Sequence, residues 1–138
     1  MRTLLLSAIL FIGCGGPLEL DADEEALKSA GMVVRTSATQ TRPKWATSFA
    51  INTTNTLYVA AELKTSAGPH TVAFEIYEPM GNIYQRNEVA FSGSGRVFDA
   101  MPVAGTWIQT FAMTGTWQVK VFVDGASTPS GTAGFTLR

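Results

Sequence analysis

Gly115-Thr116-Trp117-Gln118-Val119-Lys120-Val121-Phe122-Val123-Asp124-Gly125 carries the clearest strand-and-turn pattern of the chain. Trp117, Val119, Val121 and Val123 alternate with Gln118, Lys120 and Phe122. A period of two sends the first set into a core and the second toward solvent, which is the pattern of a half-buried β-strand. Asp124-Gly125 opens a turn, and Phe135-Thr136-Leu137 returns as the last strand. Trp117, in phase with the valines, is expected in the core.

Working toward the N-terminus, Gly105-Thr106-Trp107 repeats the tripeptide Gly115-Thr116-Trp117. Two copies make no solenoid, so the repeat reads as local similarity between consecutive strands, with Trp107 in the core beside Trp117. Val97-Phe98-Asp99-Ala100-Met101 leads through Pro102 into the first of these copies. Ile83 to Phe91 is the hairpin partner of Thr71 to Tyr77, in which Val72, Phe74 and Ile76 point one way. Glu78-Pro79-Met80-Gly81-Asn82 makes the turn between them, because Pro fixes φ and Gly accepts a positive φ. Leu57 to Leu63 and Met32 to Thr36 are two earlier strands, with Trp45 in a polar loop between. Short strands punctuated by turns at roughly eight- to twelve-residue spacing mark a sandwich or barrel.

Gly115 to Val121, with Asp124-Gly125 and Phe135, resembles the closing F and G strands of immunoglobulin-like or fibronectin-type domains of bacterial envelope proteins. Pro79-Met80-Gly81-Asn82-Ile83-Tyr84 resembles the hairpin before them. The resemblance implies an all-β fold, an antiparallel immunoglobulin-like β-sandwich over residues 32–138. The Cys…Trp…Cys signature of antibody domains is absent, which leaves the strand order open.

The N-terminus carries a different message. Arg2 precedes an apolar run from Leu4 to Ile12, the length of an export signal and well short of the ~20 residues of a spanning helix. Phe11-Ile12-Gly13-Cys14 resembles the lipobox of bacterial lipoproteins, although Phe11 stands where leucine is usual and Ile12 where alanine or serine is. That resemblance implies a signal peptide over residues 1–13 and a diacylglyceryl thioether on Cys14, with added acyl chains such as palmitate. The membrane is then a partner. Gly15 stands where lipoproteins retained in the inner membrane often carry aspartate, which implies the outer membrane. Residues 14–31 read as a linker, strongly acidic through Glu19, Asp21, Asp23, Glu24 and Glu25, with one or two helical turns expected from the capping-box spacing of Asp21 to Glu24.

Residues able to do chemistry are few. His70 is the single histidine and reads as a turn residue after Pro69. Cys14 is the single cysteine; acylated, it is neither nucleophile nor half of a disulfide within the chain. One histidine and no free thiol do not make a zinc site, and no loop has the acidic run of a calcium site. Glu75 and Glu78 start on opposite faces of a strand and do not form an acid–base pair. Neither metal nor cofactor is expected, and the chain does not read as an enzyme. A net charge of −1 over 138 residues argues against nucleic acid as a partner.

The reading that asks least of the sequence is a lipid-anchored, non-catalytic module that docks onto an envelope protein. An alternative is a carbohydrate-binding or adhesion module in which Trp45, Tyr77 and Tyr84 form one exposed platform; a hydrolase built around His70 is a third. Phe122, pointing away from the Val119 and Val121 face, marks either a docking surface or a patch covered by the linker.

Overall fold

The computed structural model describes residues 32–64 and 68–138. The expectations for the signal peptide, Cys14 and the acidic linker lie outside the described residues. Residues Val33–Arg138 form a unit of their own.

The alternation around Trp117 becomes strand β7, Gly115–Val123, with Trp117, Val119 and Val121 fully buried. The other strands are β1 Met32–Ser37, β2 Ser48–Phe49, β3 Thr56–Leu63, β4 Pro69–Tyr77, β5 Ile83–Ser92, β6 Gly95–Pro102 and β8 Gly131–Leu137. A single helical turn, α1, spans Trp107–Thr110.

These strands form two sheets, one ordered β1-β3-β6 and the other β2-β8-β7-β4-β5. In immunoglobulin lettering this is A-B-E facing G-F-C-C′, with β2 as a short A′ strand parallel to the last one. The chain is therefore all-β and immunoglobulin-like, and the strand order that the sequence leaves open is the one in which β5 stays beside β4.

The core is filled from the inner rows of both sheets. Leu57, Val59, Ala61 and Leu63 of β3 and Val97 and Met101 of β6 meet Val72, Phe74 and Ile76 of β4, the β7 row, and Phe135 and Leu137 of β8. Trp117 is the largest fully buried side chain. Its ring stacks on Phe135 with centroids 5.9 Å apart and takes Tyr84 edge-on at 5.4 Å. Its indole Nε1–H donates to the Met113 carbonyl at 3.1 Å, which satisfies the ring's one polar atom.

Asp99 occupies the inner row of β6 between Val97 and Met101 and is only 6% exposed. Two amides satisfy it, Gln85 Nε2 at 3.0 Å and Asn87 Nδ2 at 2.8 Å, both from β5. β5 and β6 are edge strands of opposite sheets, so this cluster stitches the sandwich along one seam; an inward acid also deters pairing of that edge with another chain. Asp99→Ala is expected to lower stability by about 1–3 kcal/mol in denaturant melts, the cost of losing two partnered amides at a buried carboxylate. A change below ~0.5 kcal/mol would mean that water replaces the carboxylate without penalty.

Three expectations need correction. The first copy of the repeated tripeptide is not a strand. Thr106 has extended φ and ψ, and its Oγ1 accepts the Ile108 N–H at 3.2 Å, so it is the N-cap of α1. The second copy lies in β7, where Gly115 has φ +127° and a Cβ would sit 3.1 Å from Pro79. Trp107 is consequently not core. Ile108 takes the buried position of α1, and Trp107 is 72% exposed. His70, lastly, is not a solvated turn residue: it belongs to β4 and its side chain is 12% exposed.

Candidate interaction surface

The five-stranded sheet turns its outer face away from the Trp117 core. Register places Phe122 opposite Ala73 and Lys120 opposite Glu75 across β7 and β4, then Ala73 opposite Glu88 and Glu75 opposite Arg86 across β4 and β5. Phe122 is half-buried, as its place in the outward row requires. Beside it the charges alternate. Arg86 donates to Glu75 Oε2 at 3.1 Å and to Glu88 Oε2 at 2.8 Å, and the two carboxylates raise its affinity for its proton.

Tyr77 ends the same outward row. Its hydroxyl donates to Glu75, and this bond, with some burial and the nearby negative charge, raises the phenol above its ordinary pKa. Lys120 Nζ sits 4.7 Å from the ring centroid, a cation–π contact. Glu75 is thus held by a phenol and a guanidinium, while Glu78 accepts the N–H groups of Met80 and Asn82 and shapes the turn.

Tyr84 does not join Tyr77. The β4–β5 register runs from Ile76↔Gln85 to Tyr77↔Ile83, so Tyr84 is the extra residue of a β-bulge and turns inward onto Trp117. Trp45 lies elsewhere again. It bridges Ser37 in antiparallel fashion, and its ring centroid is 5.4 Å from the Arg35 guanidinium and 5.1 Å from that of Arg96. Arg35 and Arg96 come from β1 and β6, on either side of β3, whose Glu62 accepts from Arg96 at 2.8 and 3.1 Å. Ser37 Oγ accepts the N–H groups of Thr39 and Lys44, both at 3.1 Å, and so fixes the loop that delivers Trp45. Trp45 therefore rests on the β1-β3-β6 sheet. Trp45, Tyr77 and Tyr84 occupy three different surroundings and form no common platform.

His70 Nδ1 lies 2.7 Å from Asp124 Oδ2. Asp124 has φ +54°, accepts the Thr71 N–H at 3.0 Å, and donates its own N–H to the Thr71 carbonyl at 2.8 Å. The hydrogen bond from His70, followed by that from Thr71, holds its carboxyl below the usual carboxylate range. These contacts close the turn after β7 against the start of β4. Among the described residues, no three His, Cys, Asp or Glu side chains gather as metal ligands would.

One surface goes unnoticed in the sequence. Trp107 and Phe111, one helical turn apart, are 72% and 67% exposed and meet edge to face at 6.0 Å. Their i,i+4 spacing behind a Thr cap is the signal that would have found them.

No protein-family model matches the chain, and no curated protein matches it. Among solved structures it is similar to an immunoglobulin-like protein from Pseudomonas aeruginosa, with 14% identity over 77% of this chain and 92% of that one and a TM-score of 0.46. It is also similar to a CARDB domain from Pyrococcus furiosus, solved in complex with di-metal ions, at 13% identity over 78% of this chain and 87% of that one, TM-score 0.42. A third is a β-glucosidase from Listeria innocua solved with laminaribiose, at 12% identity and TM-score 0.41, where 78% of this chain covers 16% of the enzyme.

Proposed function

We propose that the chain is a lipid-anchored envelope protein whose sandwich is a non-catalytic module that docks onto an envelope protein through the outer face of the five-stranded sheet. The observation that carries this reading is the outward, partly buried Phe122 set in the Lys120–Glu75–Arg86–Glu88 array. An aromatic anchor ringed by charges of both signs has the anatomy of a protein interface, with an apolar centre to desolvate and a polar rim to set orientation. The anchor reading rests on Phe11-Ile12-Gly13-Cys14, and the outer-membrane location on Gly15. The carbohydrate alternative needs Trp45, Tyr77 and Tyr84 on one surface, and their placement does not favour it.

The test is a photo-crosslinking amino acid placed at Phe122 in the full chain, irradiated in the native envelope, with Tyr58 on the other sheet as control. The expected result is one discrete protein adduct from position 122 and none from position 58. Adducts from 58 alone would contradict the assignment of the face.

A further inference from the structure

The exposed large apolar side chains of the described residues are Val33, Met80, Ile83, Trp107 and Phe111. All but Val33 belong to one end of the sandwich. Met80, 87% exposed, sits in the β4–β5 turn, and Ile83, 52% exposed, opens β5. That turn abuts the start of β7, since a Cβ on Gly115 would sit 3.1 Å from the Pro79 ring. Trp107 and Phe111 belong to the α1 connection that runs directly into Gly115.

The connection is also uncharged. Between Asp99 and Lys120 the sequence has no Asp, Glu, Lys or Arg. The one acid in the neighbouring turn, Glu78, already accepts N–H groups from Met80 and Asn82. Nor is the tip loose. Ile108 is fully buried beneath α1, Thr106 caps it, Gln109 accepts the Gly105 N–H at 2.9 Å, and Met113 donates its N–H to the Ile108 carbonyl at 2.9 Å.

We propose that this tip, Trp107 and Phe111 with Met80 and Ile83, inserts into the interfacial layer of the membrane that holds the anchor. The inference rests on the anchored reading above and adds which end of the sandwich faces the lipid. Three observations favour lipid as the occupant. The tip is a projection built from two connections, one without any charged residue and the other with a single acid, Glu78, engaged by its own turn; a projection so poor in charge and carrying tryptophan is the chemistry that settles at the headgroup boundary.

The tether also permits it. Ala38 to Thr41, just beyond β1, share a shallow cavity with Asn55 and Thr56 at the start of β3, so β1 ends near the tip and begins at the far end. From Cys14 to Met32 the chain can extend about 60 Å, at ~3.3 Å per residue, about twice the ~30 Å of the longest strands. A tip thus confined near the surface works at a high effective concentration, so a contact too weak to recruit a free protein is enough to orient a tethered one. With the tip down, the sandwich stands upright, and the Phe122 face looks sideways along the membrane.

The test uses the chain from Cys14 onward, which retains the whole sandwich. Cys14 is the only cysteine, so a dialkyl maleimide lipid can be coupled there chemically. The outcome then does not depend on whether cells lipidate Cys14. Vesicles of phosphatidylethanolamine and phosphatidylglycerol, with or without a shallow doxyl quencher on the acyl chain, report depth through tryptophan emission in a Trp45→Phe background. Trp117 is buried in the core, so quenching reports Trp107. The expected result is quenching in doxyl vesicles that is lost in Trp107→Phe. Met80→Ser with Phe111→Ser, which leaves the probe in place, should weaken insertion by roughly tenfold, in proportion to the apolar area removed. Unquenched emission from protein that floats with the vesicles would overturn the proposal. So would a protein crosslink in the native envelope that depends on Trp107 while vesicle quenching is absent, which would assign the tip to a protein partner instead.

Discussion

Trp117→Ala is expected to destabilise the sandwich by about 3–5 kcal/mol, the range for truncating a large aromatic side chain in a packed core. The ring is fully buried and touches both layers of aromatic packing, stacked on Phe135 and met edge-on by Tyr84. Its removal also strands the Met113 carbonyl, which holds the end of the α1 connection. The strands around the cavity are tied by sheet hydrogen bonds on both sides of β7, so they cannot collapse to fill it. Since the chain has one cysteine, no disulfide within it compensates. For a domain of this size the loss is a large part of the typical 5–15 kcal/mol total. Trp117→Phe should cost less, since it keeps most of the stacking and loses the hydrogen bond. Urea or guanidinium melts followed by circular dichroism measure both variants. A shift under 1 kcal/mol for the alanine variant would contradict the central role of this ring.

The second large effect concerns location. Cys14→Ser is expected to move the protein from the membrane fraction to the soluble fraction, nearly completely. The reason is arithmetic: each buried CH₂ contributes ~0.8 kcal/mol, one acyl chain alone gives marginal and reversible binding, and two or three chains hold firmly. The tip formed by Trp107 and Phe111 offers far less apolar area than those chains, so it orients an anchored molecule and does not retain an unanchored one. Fractionation with an alkaline carbonate wash measures this. A variant that stays with the membrane would show that the sandwich binds there without the lipid.

Most of the sandwich is legible in the sequence because each long strand buries one face, and burial of one face writes a period of two into the residues. Val72, Phe74 and Ile76, or Leu57, Val59 and Ala61, announce their strands for that reason. Features without such a period are not legible. β2, Ser48–Phe49, is too short to alternate. Tyr84 counts as an outward residue until the bulge opposite Ile76 and Tyr77 shifts the phase of β5 and turns it onto Trp117. Ala73 and Ala60 sit in outward rows and are nevertheless buried, because small side chains are shaded by larger neighbours such as Phe122 and Phe98 across the ladder.

The candidate surface is less legible in the sequence than the fold. The repeated Gly-Thr-Trp invites one interpretation for both copies, yet Thr106 caps a helix whereas Thr116 lies in a strand. The difference lies downstream. Ile108-Gln109-Thr110-Phe111 continues with helical spacing, whereas Gln118-Val119-Lys120-Val121 continues with strand alternation. The outward Phe122 is legible from alternation alone, but the Glu75, Arg86 and Tyr77 array around it depends on register between strands, which only the fold supplies.

Whether the sandwich lives on a lipid tether is read from the intact mass of the protein extracted from its native membranes. The expected result is a chain that begins at Cys14, with the mass of residues 14–138 increased by a diacylglyceryl group and, where the N-terminus is acylated, by one further fatty acid. A chain beginning elsewhere, or one beginning at Cys14 without added lipid, would contradict it.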